Sequence, residues 1–424
     1  MLVEQYIFIT IFFAAFAFFI YIHVAYPFWV HMPVSHTYDI HHRFFNSNIS
    51  VLQQYPYKNK WICSRGTRTV SYHDSTEVVK DHVLDQLNCN YIPSDSILFT
   101  IEKKHLDVLF SGHFDTPFIT TYYSSIGPLG KTSSNKLEGS FGSLGCIASY
   151  PVRILYRNEK TSANFMVFLA CDRENPIKKE ITRNLIATHE YNSRNRVTDI
   201  KISILKKHTG SCEGVRPLLT FSTHLYYIGS AKHTKGPSLA PAVQQVYRQN
   251  WSLMQDIADL LPQLFEFCAY MDVGALKARV DAGQLWIFCI KHEGIIIAAY
   301  FIEDAMMLYE KVNDYGGKTL NLMGSMCNMK KKSKGNVNIN VFVKGFAECL
   351  AMIHKQNRDY AMLLMDDVGH NQILVKEMEL VPTGTVGSNG LLGSLEIVNT
   401  KGAYYMINGF VKEPVNANRA LMLI

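Results

Sequence analysis

The sequence predicts an α/β protein made of two copies of one strand-and-helix unit, carried behind an N-terminal membrane helix. Three observations predict it. At 424 residues, 48% hydrophobic and 18% charged, the chain is globular and too long for one simple core. An order of elements recurs, with paired strands, a helix and a further strand in each half of the chain. An uncharged run, "YIFITIFFAAFAFFIYI", extends from Tyr6 to Ile22.

That run comes first. Its 17 residues would form about 25 Å of helix. Continued to Val30 past only His23 and Pro27, it exceeds the roughly 30 Å hydrocarbon core of a bilayer. A signal peptide fits poorly, because the leading residues hold Glu4 and no Lys or Arg. Residues 1–25 are therefore expected to be a retained anchor. The first basic residues after it, Arg43, Lys58 and Lys60, place the body on the cytosolic side of a single-pass protein. The nine cysteines, odd in number and without CxxC or zinc spacing, read as buried thiols of a reducing compartment, with no metal site. A net charge of +6 permits an anionic ligand and argues against a dedicated nucleic-acid binder.

The first unit is expected over 26–228. "RTVSYHDSTEVVKDHVLDQLNCNYI" (68–92) opens as a strand. It continues as a helix capped by Ser75 or Thr76, with Val78, Val79, His82, Val83 and Leu87 at helical spacing. "ILFTIE" (97–102) alternates like a strand, and the turn-rich stretch 127–143 reads as a loop. Two β-like runs, 144–156 and 163–171, flank a charged turn, and a helix over 176–193 starts at Pro176. A strand over 199–205 closes the unit. The boundary is expected in "GSAKHTKGPSLAP" (229–241).

The second unit, 229–424, repeats the outline. "DLLPQLFEFCAYM" (259–271) reads as a helix. The strands "QLWIFCI", "GIIIAAYFI" and "TLNLMGSM", the helix "NVFVKGFAECLAMIHKQN" and the strand "YAMLLM" follow. "KKKSK" (330–334) reads as a solvated hairpin tip.

No GxSxG elbow, P-loop or HExxH is present. "GSFGSLG" (139–145) is followed by a strand, so it is not a dinucleotide fingerprint. The expected phosphate site is the junction of "FLACDREN" with the helix at Pro176. A helix N-terminus there offers unpaired N–H groups, and Lys178 and Lys179 add charge.

On these residues the chain resembles the N-myristoyltransferase (glycylpeptide N-tetradecanoyltransferase) family as a divergent member. "YPFWVHMPV" (26–34) is similar to its Tyr-x-Phe-Trp-x-x-Gln-Pro-Val segment, and "LNCNYIPSDSILF" (87–99) to its Leu-Asn-Glu-Asn-Tyr stretch. "LGCIASYP" (144–151) running to "VFLACD" (167–172) is similar to its Val-Gly-Phe-Ile-Ser-Ala-Ile-Pro strand and the Asn-Phe-Leu-Cys-Val-His that follows. "AYYMIN" (403–408) is similar to its Tyr-Tyr-Leu-Tyr-Asn strand, at a matching distance from the chain end.

The resemblance implies two fused acetyltransferase-like (GNAT) domains with a pseudo-twofold repeat, acting as a monomer. It implies no permanent cofactor and myristoyl-CoA as co-substrate, its acyl group passing to proteins with an N-terminal glycine. The amides of Phe168 and Leu169 would hold the thioester oxyanion. Tyr26, Phe28, Trp29 and Ala170 would line the CoA, and Lys178 and Lys179 would meet its phosphates. Tyr91, Asp95 and Phe99 would face the acceptor peptide, and Ser203 would stand near the acceptor amine. Five departures accompany these matches, one being that the family's acidic cluster for a basic peptide shrinks to Asp95 between Ser94 and Ser96. Met32 replaces the Gln, Val167 the Asn before Phe-Leu, Pro176-Ile177 an Arg-Ser, and "SNG" (388–390) a Gly-Asp-Gly. Two alternatives remain: an acyltransferase for a different amine, and an inactive acyl-CoA- or lipopeptide-binding membrane protein.

The sequence ends on "NANRALMLI" (416–424). An apolar end is either a strand tucked into a core or, as the resemblance implies, a device that brings the α-carboxylate of Ile424 to the acceptor amine as its base. An α-carboxylate titrates near 3.5 and an α-amine near 8, an uphill transfer of roughly 6 kcal/mol that apolar surroundings reduce.

Overall fold

The structure is a computed structural model. It describes residues 2–39, 49–92, 97–123, 143–197, 199–228, 243–312, 315–328, 336–377, 400–411 and 413–424. Residues 127–142 of the loop expected over 127–143, the boundary segment 229–241, the lysine run 330–334, "SNG" and Asp95 lie outside the described residues.

α1 (Leu2–Ala25) is one exposed helix, and its stretch Val3–Ala25 is long and apolar enough to cross a membrane. The body opens with β1 (Ile49–Val51) and β2 (Thr67–Ser71), then α2 (Glu77–Asn90). The N-cap of α2 is Thr76, whose hydroxyl makes no capping bond. β3 (Ile97–Phe99), α3 (Lys103–Leu109) and β4 (Phe118–Tyr123) lead to a long hairpin, β5 (Ser143–Tyr156) and β6 (Glu159–Cys171). Arg157 and Asn158, at φ 48° and 70°, close it as a two-residue turn. β6 therefore starts inside the charged stretch read as a longer turn, while β5 ends at Tyr156 as expected. α4 (Lys178–Arg196) begins two residues after Pro176, and β7 (Ile202–Lys207) and β8 (Leu219–Tyr227) complete the first half.

The second half contains β9 (Val243–Gln245), α5 (Ser252–Ala258), α6 (Leu261–Leu264), β10 (Phe267–Met271), α7 (Val273–Asp281), β11 (Leu285–His292), β12 (Ile295–Val312) and β13 (Tyr315–Cys327). α8 (Asn336–Gln356), β14 (Tyr360–Asp366), α9 (Asn371–Glu377), β15 (Thr400–Ile407), β16 (Gly409–Val411) and β17 (Ala420–Leu423) follow. The helix expected over 259–271 is corrected. It stops at Leu264, and "FCAYM" is β10, paired with β5 on one side and β17 on the other. A short apolar run buried on both faces carries no period that separates strand from helix.

The repeat is structural. β5, β6, α4 and β7 form a hairpin, a helix and a strand parallel to β6. β12, β13, α8 and β14 do the same, with β14 parallel to β13. One sheet joins both, in the order β17-β10-β5-β6-β7-β15-β8-β14-β13-β12-β11-β9. β10 and β15, both beyond the expected boundary at 228/229, hydrogen-bond beside first-half strands, and β17 pairs on the outer edge of β10. β3 pairs in return with β12. α4 covers a core with Phe28, Ile181, Leu185 and Tyr405, and α8 covers another with Phe342, Phe346 and Leu363. The largest core lies between the halves and includes Phe99, Phe168, Met323 and Leu421.

Candidate functional site

The site begins with one extra residue. Between Cys146↔Ala170 and Ala148↔Val167, β6 spends three steps against two on β5. That is a β-bulge. Val167 and Phe168 consequently face the same central core, while Met166 and Leu169 face α4. Phe168 sits at φ 57°, a left-handed conformation costing a non-glycine residue about 1–3 kcal/mol. On the other side, β6 and β7 are paired only as far as Met166↔Leu205 and then part. Phe168 and Leu169 thus pair with no residue of β5 or β7.

The central face of this opening is aromatic. The Tyr91 ring lies 5.6 Å from Phe168 and 4.7 Å from Phe99, and Phe110 is 6.3 Å from Phe168. Burial pushes the Tyr91 hydroxyl up, with Lys206 opposing. Ala170, 2% exposed, faces the same core. The terminal strand reaches it too. Leu421 and Leu423 lie against Gly324, where a Cβ would come within 2.8 Å of each, and half-buried Ile424 packs on the central core.

On the α4 face, Phe28 stacks edge-on with Trp29 and Trp61 at 4.8 and 5.6 Å, and Leu169 packs with them. Tyr26 is apart from this group. Its ring covers Gly214 and stacks on Tyr38 at 6.4 Å.

The turn before α4 departs from the expected open phosphate cradle. Asp172 N–H donates to Leu144 O, Arg173 N–H to Asn90 Oδ1 and Glu174 N–H to Asp172 Oδ1. Asn175 N–H donates to Asp172 O, while Ile177 and Lys178 N–H donate to Asn175. With Pro176 lacking a donor, every N–H from Asp172 to Lys178 is taken within the chain. Lys178 and Lys179 open α4, as expected, and the Lys178 amine reaches back to Arg173 O at 3.4 Å.

Ser203 is in a different place from the one expected. Its hydroxyl donates to Glu190 Oε2 of α4 at 2.5 Å, on the sheet face opposite the Tyr91–Phe168 group. Strand alternation is the reason: Ile202 and Ile204 point to the central core, and Ser203 and Leu205 to α4. Glu190 is pushed up to about 7, burial outweighing the Arg194 guanidinium.

Alternation also carries Lys206 to the central side, and sequence reasoning missed it. Its amine donates to Asp366 Oδ2 at 2.7 Å, and Thr223 donates to Asp366 Oδ1 at 2.7 Å. The signal was available in "DIKISILKK", where a lysine continues the inward phase of two isoleucines. A second ion pair, Arg279 to Glu303 at 2.5 Å, also joins elements of the central region. Among the described residues no cluster of His, Cys, Asp and Glu could hold a metal ion.

A duplicated unit of hairpin, helix and parallel strand, bulged and splayed at its centre, defines the class of fold. By sequence, no family model and no curated protein matches the chain. By structure, it is similar to Saccharomyces cerevisiae N-myristoyltransferase with bound myristoyl-CoA, at TM-score 0.64 and 11% identity over 92% of this chain and 94% of that one. A structure of the yeast enzyme with myristoyl-CoA and inhibitors gives TM-score 0.64 and 11% identity over 94% of each chain. The chain therefore has an N-myristoyltransferase-like fold.

Proposed function

We propose that this protein transfers a long acyl group, of the myristoyl class, from acyl-CoA to the amine of an N-terminal glycine. The observation that carries the reading is the bulge at Phe168, where two residues fall out of register with both neighbouring strands at the point where β6 and β7 part. Amides fixed in that way stabilise a thioester oxyanion without reorganising. The amine attacks the thioester carbonyl, the oxyanion rests on the Phe168 and Leu169 N–H groups, and the CoA thiolate leaves with no acyl-enzyme. Tyr26, Phe28, Trp29 and Ala170 would contact the CoA, and Lys178 and Lys179 its phosphates. Tyr91, Phe99 and Asp95 would face the acceptor.

The Ile424 carboxylate would take the amine's proton. Packing of β17 into the central core supports this, because apolar surroundings bring the two pKa values together. Ser203 would act at one remove, holding Glu190 and α4 in place behind the bulge. The apolar α1 supports attachment to a membrane, and Arg43, Lys58 and Lys60 after it would keep the body on the cytosolic side. Incubating the full chain with myristoyl-CoA and Gly-initiated peptides, with mass spectrometry of the products, tests the reading. An acylated peptide is expected, and free thiol release without it would overturn the reading.

One observation favours the second reading, an acyl-CoA- or lipopeptide-binding protein without turnover. The turn before α4 satisfies its own N–H groups and carries Asp172 and Glu174, both unfavourable to phosphate. Calorimetry that detects tight myristoyl-CoA binding, with no product from any amine, would select it.

A further inference from the structure

Lys206 and Asp366 occupy equivalent positions in the two repeats. β7 pairs with β6 up to Leu205, and Lys206 is the next residue; β14 pairs with β13 up to Met365, and Asp366 is the next. Each residue stands where its pair of parallel strands parts, and the two meet across the pseudo-axis at 2.7 Å. We propose that this ion pair is the polar anchor of the acceptor site. Asp366 takes the ammonium of an α-amino-acyl unit, and Lys206 takes the carbonyl or carboxylate oxygen one carbon away. The inference rests on the acyl-transfer reading and assigns that reaction an acceptor-binding pair.

Three features support it. The side chains are 17% and 13% exposed, so the pair is largely buried but not sealed from solvent. Lys206 lies on the Tyr91–Phe168 side, its amine 5.1 and 5.6 Å from the Phe221 and Tyr404 rings. Both partners also keep bonding capacity. Each Asp366 oxygen accepts one bond and has room for another, and Asp366 and Tyr404 take two of the three Lys206 donors, leaving one. A buried ion pair is often no more stabilising than apolar residues of the same volume, so folding alone gives little reason to place one here. Burial opposes both charges, yet each partner holds the other ionised, Lys206 raised and Asp366 lowered. One acceptor and one donor side by side complement an amine and an oxygen on adjacent carbons. The pair is neutral overall, which suits an acceptor with no run of basic residues.

The test uses the full chain and three variants: Asp366→Asn, the apolar pair Lys206→Met/Asp366→Leu, and the swapped pair Lys206→Asp/Asp366→Lys. Binding of a Gly-initiated peptide amide, of free glycine and of myristoyl-CoA is measured by calorimetry, each acceptor with and without myristoyl-CoA. D366N is expected to weaken acceptor binding at least tenfold and to lower the melting temperature, because Lys206 loses its counter-ion, while leaving myristoyl-CoA affinity within twofold. The swapped pair separates the roles: a purely structural clamp regains acceptor binding, whereas an anchor of fixed polarity does not. Binding of the amide but not free glycine identifies a peptide terminus, and the reverse a free amino acid. Wild-type acceptor affinity in D366N, or recovery in the swapped pair, overturns the inference. Acceptor binding that is D366N-sensitive without acyl transfer sinks the acyl-transfer reading and leaves this one standing.

Discussion

The two places where parallel strands part share a backbone and differ in what fills them. In the first half, β6 and β7 separate after Met166 and Leu205, and Phe168 and Leu169 are left without strand partners. In the second, β13 and β14 separate after Leu322 and Met365, and β13 bulges at Met323. Here the chain supplies the occupant. Asn371 Nδ2 donates to Leu322 O at 3.4 Å and to Asp366 O at 3.0 Å, bridging the two strands. Ser325 Oγ donates to Asn371 Oδ1, and Cys327 N–H donates to His370 Nδ1 at 2.7 Å. One copy of the unit bridges its parted strands with its own Asn371, and the other leaves Phe168 and Leu169 out of strand register. The proposed acyl transfer would use the first half's counterpart of that bridge.

The largest expected effect breaks the comparison at the chain end. Appending a short polar tag after Ile424 should lower transfer by about 10²–10⁴-fold, the range of a general base, with acyl-CoA affinity retained. A tagged protein that melts normally and turns over at full rate removes the carboxylate from the mechanism. Gly324→Ala should act in the same direction more weakly, because its methyl would press on Leu421 and Leu423.

Next comes the bulge itself. Phe168→Val should lower kcat by about 10²–10³-fold, the size of a lost oxyanion donor, because a β-branched residue resists φ near +57°. Phe168→Gly keeps that backbone and should retain far more activity at saturating donor, despite losing the ring. If valine and glycine fall equally, the ring matters and the amides do not. The matched change in the second half, Asn371→Ala, should leave kcat within twofold. It should cost about 1–3 kcal/mol in urea unfolding, since it strands buried carbonyl groups.

Much of this arrangement was legible in the sequence. The hairpin, helix and parallel strand of each half were visible as period-2 and period-3.6 runs, and the motif order pointed to the right fold. What escaped depends on phase and on partners. Ser203 was placed by alignment with an expected pattern, but strand alternation turns it to α4 and brings Lys206 inward. β10 was read as helix because burial on both faces erased its period. The closed turn before α4 could not be foreseen, because Asp172 and Asn175 look like ordinary loop residues until their side chains are seen bonding the turn's own N–H groups.

Acid should sharpen the contrast between the halves. Burial holds His370 at about 4 in the second half and His189 at about 3 in the first, where His189 bonds Thr120 and Ser149. Unfolded, each titrates near 6.5. The unfolded chain therefore binds more protons between those values, and the neutral histidines' contribution is present above pH 6.5 and lost as pH falls toward 4 and then 3. Glu190, held at about 7, works in the opposite direction, so the informative quantity is the difference between wild type and a variant. His370→Gln should flatten part of the acid limb of urea midpoint against pH, by roughly 2–3 kcal/mol between pH 7 and 4. Superimposed limbs would mean that His370 is solvated in solution.

The smallest effect concerns the turn before α4. Lys178 and Lys179 stand in the first turn of the helix, where cations oppose its dipole unless an anion is present. Each exposed contact with phosphate is worth about 0.3–1 kcal/mol, so Lys178→Ala/Lys179→Ala should weaken acyl-CoA binding several-fold and reduce its salt dependence. Asp172 makes the opposite prediction. Its side chain occupies the Glu174 N–H, and its charge repels phosphate. Asp172→Ala should free that donor and tighten acyl-CoA binding by a similar factor, while leaving acceptor affinity unchanged. If the lysine variant weakens binding and the aspartate variant strengthens it, the closed turn is a tuned phosphate site. If calorimetry shows no change in either, the donor's phosphates lie elsewhere, and Asp172 and Asn175 serve only to start the helix.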